Sequence, residues 1–229
     1  MLVWLYDDDG VGQEGLAQLQ SALPRYWQDW VIELECVNAE RIQSGIVADM
    51  LVIGGGADLP YCRRLHGKGT EAIKRFVANG GIYLGICAGA YFACQQVDFR
   101  GEGYRIYGSR ELGFFTGIAR GSWKALAGGR LYDLTANSRS ELVLPEFPEH
   151  RVVYHGGCAF IGQAERVVAR YPHHQGMAAI IAGQYGKGAY LLSGVHFEGM
   201  EEGAVFFAKL RAIIEETLHL AASSTCNLT

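Results

Sequence analysis

Continuous apolar runs alternate with amphipathic stretches along the first part of the chain. Leu2 to Tyr6, Met50 to Ile53 and Ile82 to Leu84 have the length and character of buried strands. After the first run, Val11, Leu16, Leu19, Ala22 and Leu23 recur at near-helical spacing, and Pro24 is predicted to close that helix. Trp30 to Val37 alternates well enough for a second strand, and Asn38 is placed to cap a short helical turn over Ala39 to Ser44. A further helix is predicted from Glu71 to Asn79, with Thr70 as its cap and Ile73, Phe76 and Val77 on one face. Strand, helix and strand in this order predict a doubly wound sheet.

The pattern changes in the middle. From about Gly101 to Phe160 the chain is rich in glycine and turn residues. Short β-prone runs stand at Tyr104–Tyr107, Gly129–Leu134, Glu141–Leu144 and Arg151–Tyr154, with loops predicted at 110–115 and 116–121. This reads as a β-rich insertion that either covers a substrate or only covers the core. Regular strands return at Glu165–Tyr171, Ala178–Ala182 and Ala189–Ser193, with Gly186-Lys187-Gly188 turning the last pair. A closing helix is predicted over about Glu201 to Leu220, and Ala221–Thr229 reads as a frayed tail. No linker or repeat divides the chain, so residues 1–229 are expected to form a single α/β domain.

Composition narrows the function. A net charge of −4 and no Lys/Arg run argue against a nucleic-acid partner. No apolar stretch approaches the ~20 residues that span a membrane, and the N-terminus lacks the basic region of a signal peptide. The six cysteines are scattered without a C-x-x-C pair, so reduced thiols in a cytoplasmic protein are expected. No cofactor and no metal site is expected: Asp7-Asp8-Asp9 reads as a solvated loop or cap, and adjacent His173-His174 as exposed.

Candidate chemistry begins where the third apolar run ends. Gly85-Ile86-Cys87-Ala88-Gly89 is a Gly-x-nucleophile-x-Gly pattern with Cys at its centre. A sharp strand-to-helix turn strains the central residue and demands small neighbours, which Gly85, Ala88 and Gly89 supply. It also puts the sulfur at a helix N-terminus, where unpaired N–H groups favour a thiolate. The segment alone equally suits a buried structural cysteine in a Gly-rich turn. Gly54-Gly55-Gly56 follows another predicted core strand and reads as a loop with N–H groups free to face Cys87. His196 and Glu198 follow the last strand, and residues two apart on an extended chain share a side. Together these supply a nucleophile, a base and a group that orients the base. Asp58, Tyr61, Arg110, Glu111, Arg120 and His155 are candidates to line a pocket or to stabilise loops.

GICAG with a strand-terminal HFE resembles the class I glutamine amidotransferase-like superfamily. More narrowly, GGGADLPYCRRLHGKG, FVANGGIYLGICAGAY and SRELGFFTGIARG resemble the amidotransferase-like N-terminal domain of eukaryotic-type biotin–protein ligases, over about Leu2 to Glu198. The resemblance implies a flavodoxin-like three-layer sandwich with a mostly parallel sheet. It also implies Cys87 as nucleophile, His196 as base, Glu198 as orienter, and an oxyanion hole from the N–H of Ala88 and of Gly55 or Gly56. A ligase catalytic domain and a biotin/ATP motif are missing, so biotin transfer is not expected. Tyr91 stands four residues after Cys87, where glutaminases usually carry a substrate-holding Gln, and Phe197 stands where the pattern generally has Pro. The first departure argues against glutamine. The expectation is a cysteine-dependent hydrolase or amidotransferase acting on a small amide or acyl substrate. A small-molecule-binding or regulatory module without turnover is the alternative, and a redox-sensing Cys87 a third. A homodimer and a protein partner are left open.

Overall fold

The computed structural model describes residues 1–31, 33–172 and 176–226. The expected strand from Trp30 crosses residue 32, and His173-His174 falls outside the described residues. Five strands form the parallel half of one sheet: β1 (Leu2–Tyr6), β2 (Glu33–Val37), β3 (Met50–Ile53), β4 (Ile82–Ile86) and β13 (Gly188–Ser193), in the order β2-β1-β3-β4-β13. Their side chains alternate between two cores. On β1, Val3 and Leu5 face one core with Leu16, Leu19, Phe206 and Leu210; Trp4 and Tyr6 face the other with Ile42, Tyr61 and Ile73. The helices α1 (Gln13–Tyr26) and α6 (Ala204–Cys226) thus cover one face. On the other lie α2 (Ala39–Gln43), α3 (Asp58–Leu65), α4 (Lys68–Ala78) and α5 (Ala88–Ala93). This is the α/β sandwich of the flavodoxin-like type.

Several local expectations are corrected. Pro24 lies inside α1, which runs two residues further. Tertiary packing holds its end: Trp27 N–H bonds the Leu23 carbonyl at 3.0 Å, and the Trp27 indole donates to the Phe207 carbonyl at 2.8 Å. The segment Asp58–Leu65, for which no element was predicted, is helix α3. Pro60 sits in its first turn, where a missing N–H forfeits no intrahelical bond. Thr70 belongs to the first turn of α4 and is not its cap. Asn38 does cap α2, accepting from Arg41 N–H at 3.0 Å. In the acidic triplet, Asp8 accepts from Ala39 N–H at 2.9 Å and pairs with Arg64 at 3.0 Å.

Most of the β-rich stretch continues the sheet. β12 (Ala178–Tyr185) pairs antiparallel with β13, then β10 (Ala159–Ile161), β7 (Phe115–Gly121), β5 (Cys94–Gly101) and β6 (Tyr104–Ser109) follow outward, with β11 (Arg166–Arg170) beside β12. β7 is a strand where a loop was expected: it pairs with β10 and, in parallel, with β5, which itself forms a hairpin with β6. Gly129–Leu134 is not a strand; Tyr132 makes a single bridge to Gly101. Among the described residues, only β8 (Ser140–Val143) and β9 (Arg151–Tyr154) form a separate hairpin. Helix α6 continues through Cys226, so the expected tail is helical up to that point. Among the described residues, no helix is long and apolar enough to cross a membrane.

Candidate functional site

Cys87 stands between β4 and α5 with φ 50° and ψ −104°, and it is the one non-glycine residue with positive φ among those described. A left-handed conformation is costly for a side chain and persists only where its surroundings impose it. Here Cys87 N–H bonds the Ser193 carbonyl of β13 at 2.8 Å, and Gly89 N–H bonds the Gly54 carbonyl at 3.1 Å. Side chains are excluded on both flanks. A Cβ on Gly85 would meet the Gly89 carbonyl oxygen at 2.7 Å, and one on Gly89 would strike the Ile53 carbonyl.

His196 lies three residues beyond β13, the strand next to β4. Its backbone is clamped by the β8–β9 hairpin: Val153 N–H donates to the His196 carbonyl at 2.9 Å, and His196 N–H to the Val153 carbonyl at 2.8 Å. The imidazole Nδ1 is 2.7 Å from Glu198 Oε1. The other carboxylate oxygen accepts from Phe197 N–H at 2.9 Å. Glu198 is buried, and its carboxylate abuts the first turn of α1, since a Cβ on Gly15 would come within 3.3 Å of Oε1. A helix N-terminus favours a negative charge placed there. Burial works against a charged His196, but the Glu198 carboxylate and then the Cys87 sulfur outweigh it and hold the imidazole pKa well above its ordinary range. Both side chains converge on Gly55, where a Cβ would lie 2.6 Å from His196 Cε1 and 3.6 Å from Cys87 Cβ.

A cavity of about 910 Å³ opens over these residues. Cys87, Ala88, Gly55, Gly56, Asp58, Tyr91, His155, His196 and Glu198 border it. The His155 carbonyl oxygen is 3.8 Å from the Cys87 sulfur. Burial, followed by the charges of Arg139 and His196, lowers the His155 pKa. The other pocket candidates are placed differently. Tyr61 lies beneath the glycine loop, donating to the Gly55 carbonyl at 3.0 Å. Arg110 is behind Asp58, which it meets at 2.7 Å, and the pair ties α3 to the loop after β6. Glu111 accepts from Gly67 N–H at 3.0 Å and Thr70 Oγ1 at 2.5 Å, so it anchors α4 away from the cavity. Arg120 faces Asp98 at 3.3 Å, in a cluster with Arg100 and Arg105. Tyr91 borders the cavity but spends its hydroxyl on the Gly156 carbonyl at 3.0 Å.

Residues 1–217 match the family model described as "Biotin-protein ligase, N terminal". The chain belongs to the biotin–protein ligase N-terminal family. Within this family's reach, an uncharacterized protein of Chlamydia muridarum is 40% identical over 163 residues, covering 67% of this chain and 61% of that protein. The biotin–protein ligase of Schizosaccharomyces pombe is 35% identical over 173 residues, 70% of this chain and 27% of the ligase. The chain therefore spans less than two thirds of either relative. A solved glutamine amidotransferase superposes with a TM-score of 0.61 at 19% identity, over 91% of this chain and 97% of the other, a likeness of fold. In this member of the biotin–protein ligase N-terminal family, sequence reasoning missed the far side of the cavity: Glu14, Phe99, Tyr104, Tyr132 and Arg139. They come from separate segments and share no local motif. The alternation of Val97, Phe99 and Gly101 along β5 was the one available signal.

Proposed function

We propose that this biotin–protein ligase N-terminal family chain is a cysteine-dependent hydrolase or acyl transferase acting on an amide or acyl substrate. One observation carries the reading: the Glu198–His196 pair, 2.7 Å apart, is brought with Cys87 onto the bare backbone of Gly55. In the proposed sequence the Cys87 thiolate attacks the substrate carbonyl carbon. The His196 imidazolium protonates the departing amine, leaving a thioester. Neutral His196 then takes a proton from water, whose oxygen attacks the thioester and releases the acid and the thiolate. Glu198 holds the imidazole by Nδ1, which leaves Nε2 for the moving proton.

The N–H of Ala88 and that of Gly55 or Gly56 are the proposed oxyanion donors. Two hydrogen bonds hold the carbonyls of the glycine loop. The Gly54 carbonyl accepts from Gly89 N–H at 3.1 Å, and the Gly55 carbonyl from Gly12 N–H at 2.9 Å. In a trans peptide the N–H points opposite to the C=O, so these bonds also fix the following N–H directions.

Alkylation by iodoacetamide, resolved by mass spectrometry, tests the pairing. At neutral pH, His196→Ala is expected to slow modification of Cys87 roughly tenfold or more, as loss of an activating base does. Equal rates in the two proteins overturn the catalytic reading. A binding module without turnover then leads, consistent with the hydroxyl of Tyr91 being engaged by Gly156.

A further inference from the structure

The cavity is asymmetric, and the side away from the triad is aromatic. The His155 ring contacts Tyr132 at 4.8 Å between centroids. Tyr132 contacts Phe99 at 5.5 Å, and Phe99 contacts Tyr104 at 5.9 Å. A continuous row of rings therefore leads from beside Cys87 to the rim. The row can start that close because Gly156, at φ +71°, has no side chain where the Tyr132 ring lies against it. At the rim Tyr104 is 45% exposed and Leu134 91% exposed, although both border the cavity. Apolar surface left open beside a reactive centre marks a place where a ligand's own apolar surface is buried.

Four of the charged groups on the cavity wall are occupied with each other, and Arg63 and Glu201 border it as well. Arg139 grips Glu14 with two bonds of 3.1 and 2.7 Å, and Arg151 meets Glu141 at 3.0 Å. These four offer no spare charge to an ammonium and carboxylate on one small substrate. A volume of about 910 Å³ is also at the upper end of drug-sized sites, far more than an amino acid fills.

We propose that the site takes an amide or thioester whose non-reacting part is an aryl- or alkyl-sized apolar group, seated on Phe99, Tyr104 and Tyr132, and that it does not take glutamine. The inference rests on Cys87 being the reacting residue, as proposed above. Its test does not depend on turnover. N-benzylacetamide and L-glutamine are titrated calorimetrically into the Cys87→Ala protein. The benzyl amide is expected to bind at millimolar concentration or below, with glutamine weaker or undetectable. Tyr132→Ser is expected to weaken the benzyl amide roughly tenfold, the factor that one lost aromatic contact of about 1.4 kcal/mol produces. Leu134→Ser and Tyr104→Ser, at exposed positions, are expected to weaken it in the same direction. Glutamine binding as tightly as the benzyl amide overturns the proposal. So does undetectable benzyl amide binding, or affinity indifferent to all three substitutions. The iodoacetamide comparison of wild type and His196→Ala uses a probe with no apolar group, so failure of the chemistry and failure of the specificity are separately visible.

Discussion

Glu198 is the residue through which the site is electrically set. Its carboxylate is buried, bonded to His196 Nδ1 and to Phe197 N–H, and it lies against the first turn of α1. His196 is held protonated above its usual range, with burial opposing and Glu198 the largest favourable cause. A group whose folded pKa is raised contributes stability that is complete below its unfolded pKa of about 6.5 and is lost as pH rises through the folded value. Wild-type stability should therefore decline on the alkaline side of neutrality. Glu198→Gln removes the charge but keeps the shape. It is expected to bring the His196 pKa down, to flatten the alkaline decline, and to slow Cys87 alkylation at neutral pH. NMR titration of His196 and urea unfolding at several pH values check the first two. A His196 titration unchanged in Glu198→Gln would mean that Cys87, not Glu198, sets the imidazole charge.

At the scale of elements, the site depends on three strand ends brought within backbone contact. β3 gives the glycine loop, β4 gives Cys87, and β13 leads to His196. The packing is close enough that glycine is demanded by space. Gly89→Ala would drive a Cβ into the Ile53 carbonyl and push α5 off β3. We expect it to destabilise the protein by about 1–3 kcal/mol, as overpacking does, although alanine is the better helix former. A lower urea midpoint with unchanged slope would show it. This part of the site was legible because its signals are local: GICAG, the three glycines and HFE each lie at the end of an apolar run. Elements whose reason is remote were not. The strand β7 exists because β5 and β10 flank it, and neither can be read from Phe115–Gly121. The aromatic wall is likewise assembled from β5, β6 and the segment before β8, so its three rings never meet in sequence.

Across the whole molecule, one cluster of phenylalanines joins the closing helix to the site. Phe206 and Phe207 of α6 each lie 5.4 Å from Phe197, centroid to centroid, and Phe206 lies 4.3 Å from Phe147 of the segment between β8 and β9. All four are buried. Phe197, placed between His196 and Glu198, is thus a packing residue that plugs the His196–Glu198 turn into the core. The hairpin that clamps the His196 backbone leans on the same cluster through Phe147. Phe206→Ala should cost about 3–5 kcal/mol. For a chain of this size each kcal/mol lowers the melting midpoint by about 2–4 °C, so the expected fall is roughly 6–20 °C. If the cluster also positions the triad, Phe206→Ala will slow His196-dependent alkylation of Cys87 at temperatures well below its transition, and Phe206→Met, which refills most of the volume, will restore it. A lowered midpoint with alkylation unchanged would assign the positioning of His196 to Val153 and Glu198 alone, leaving α6 a purely structural part of the fold.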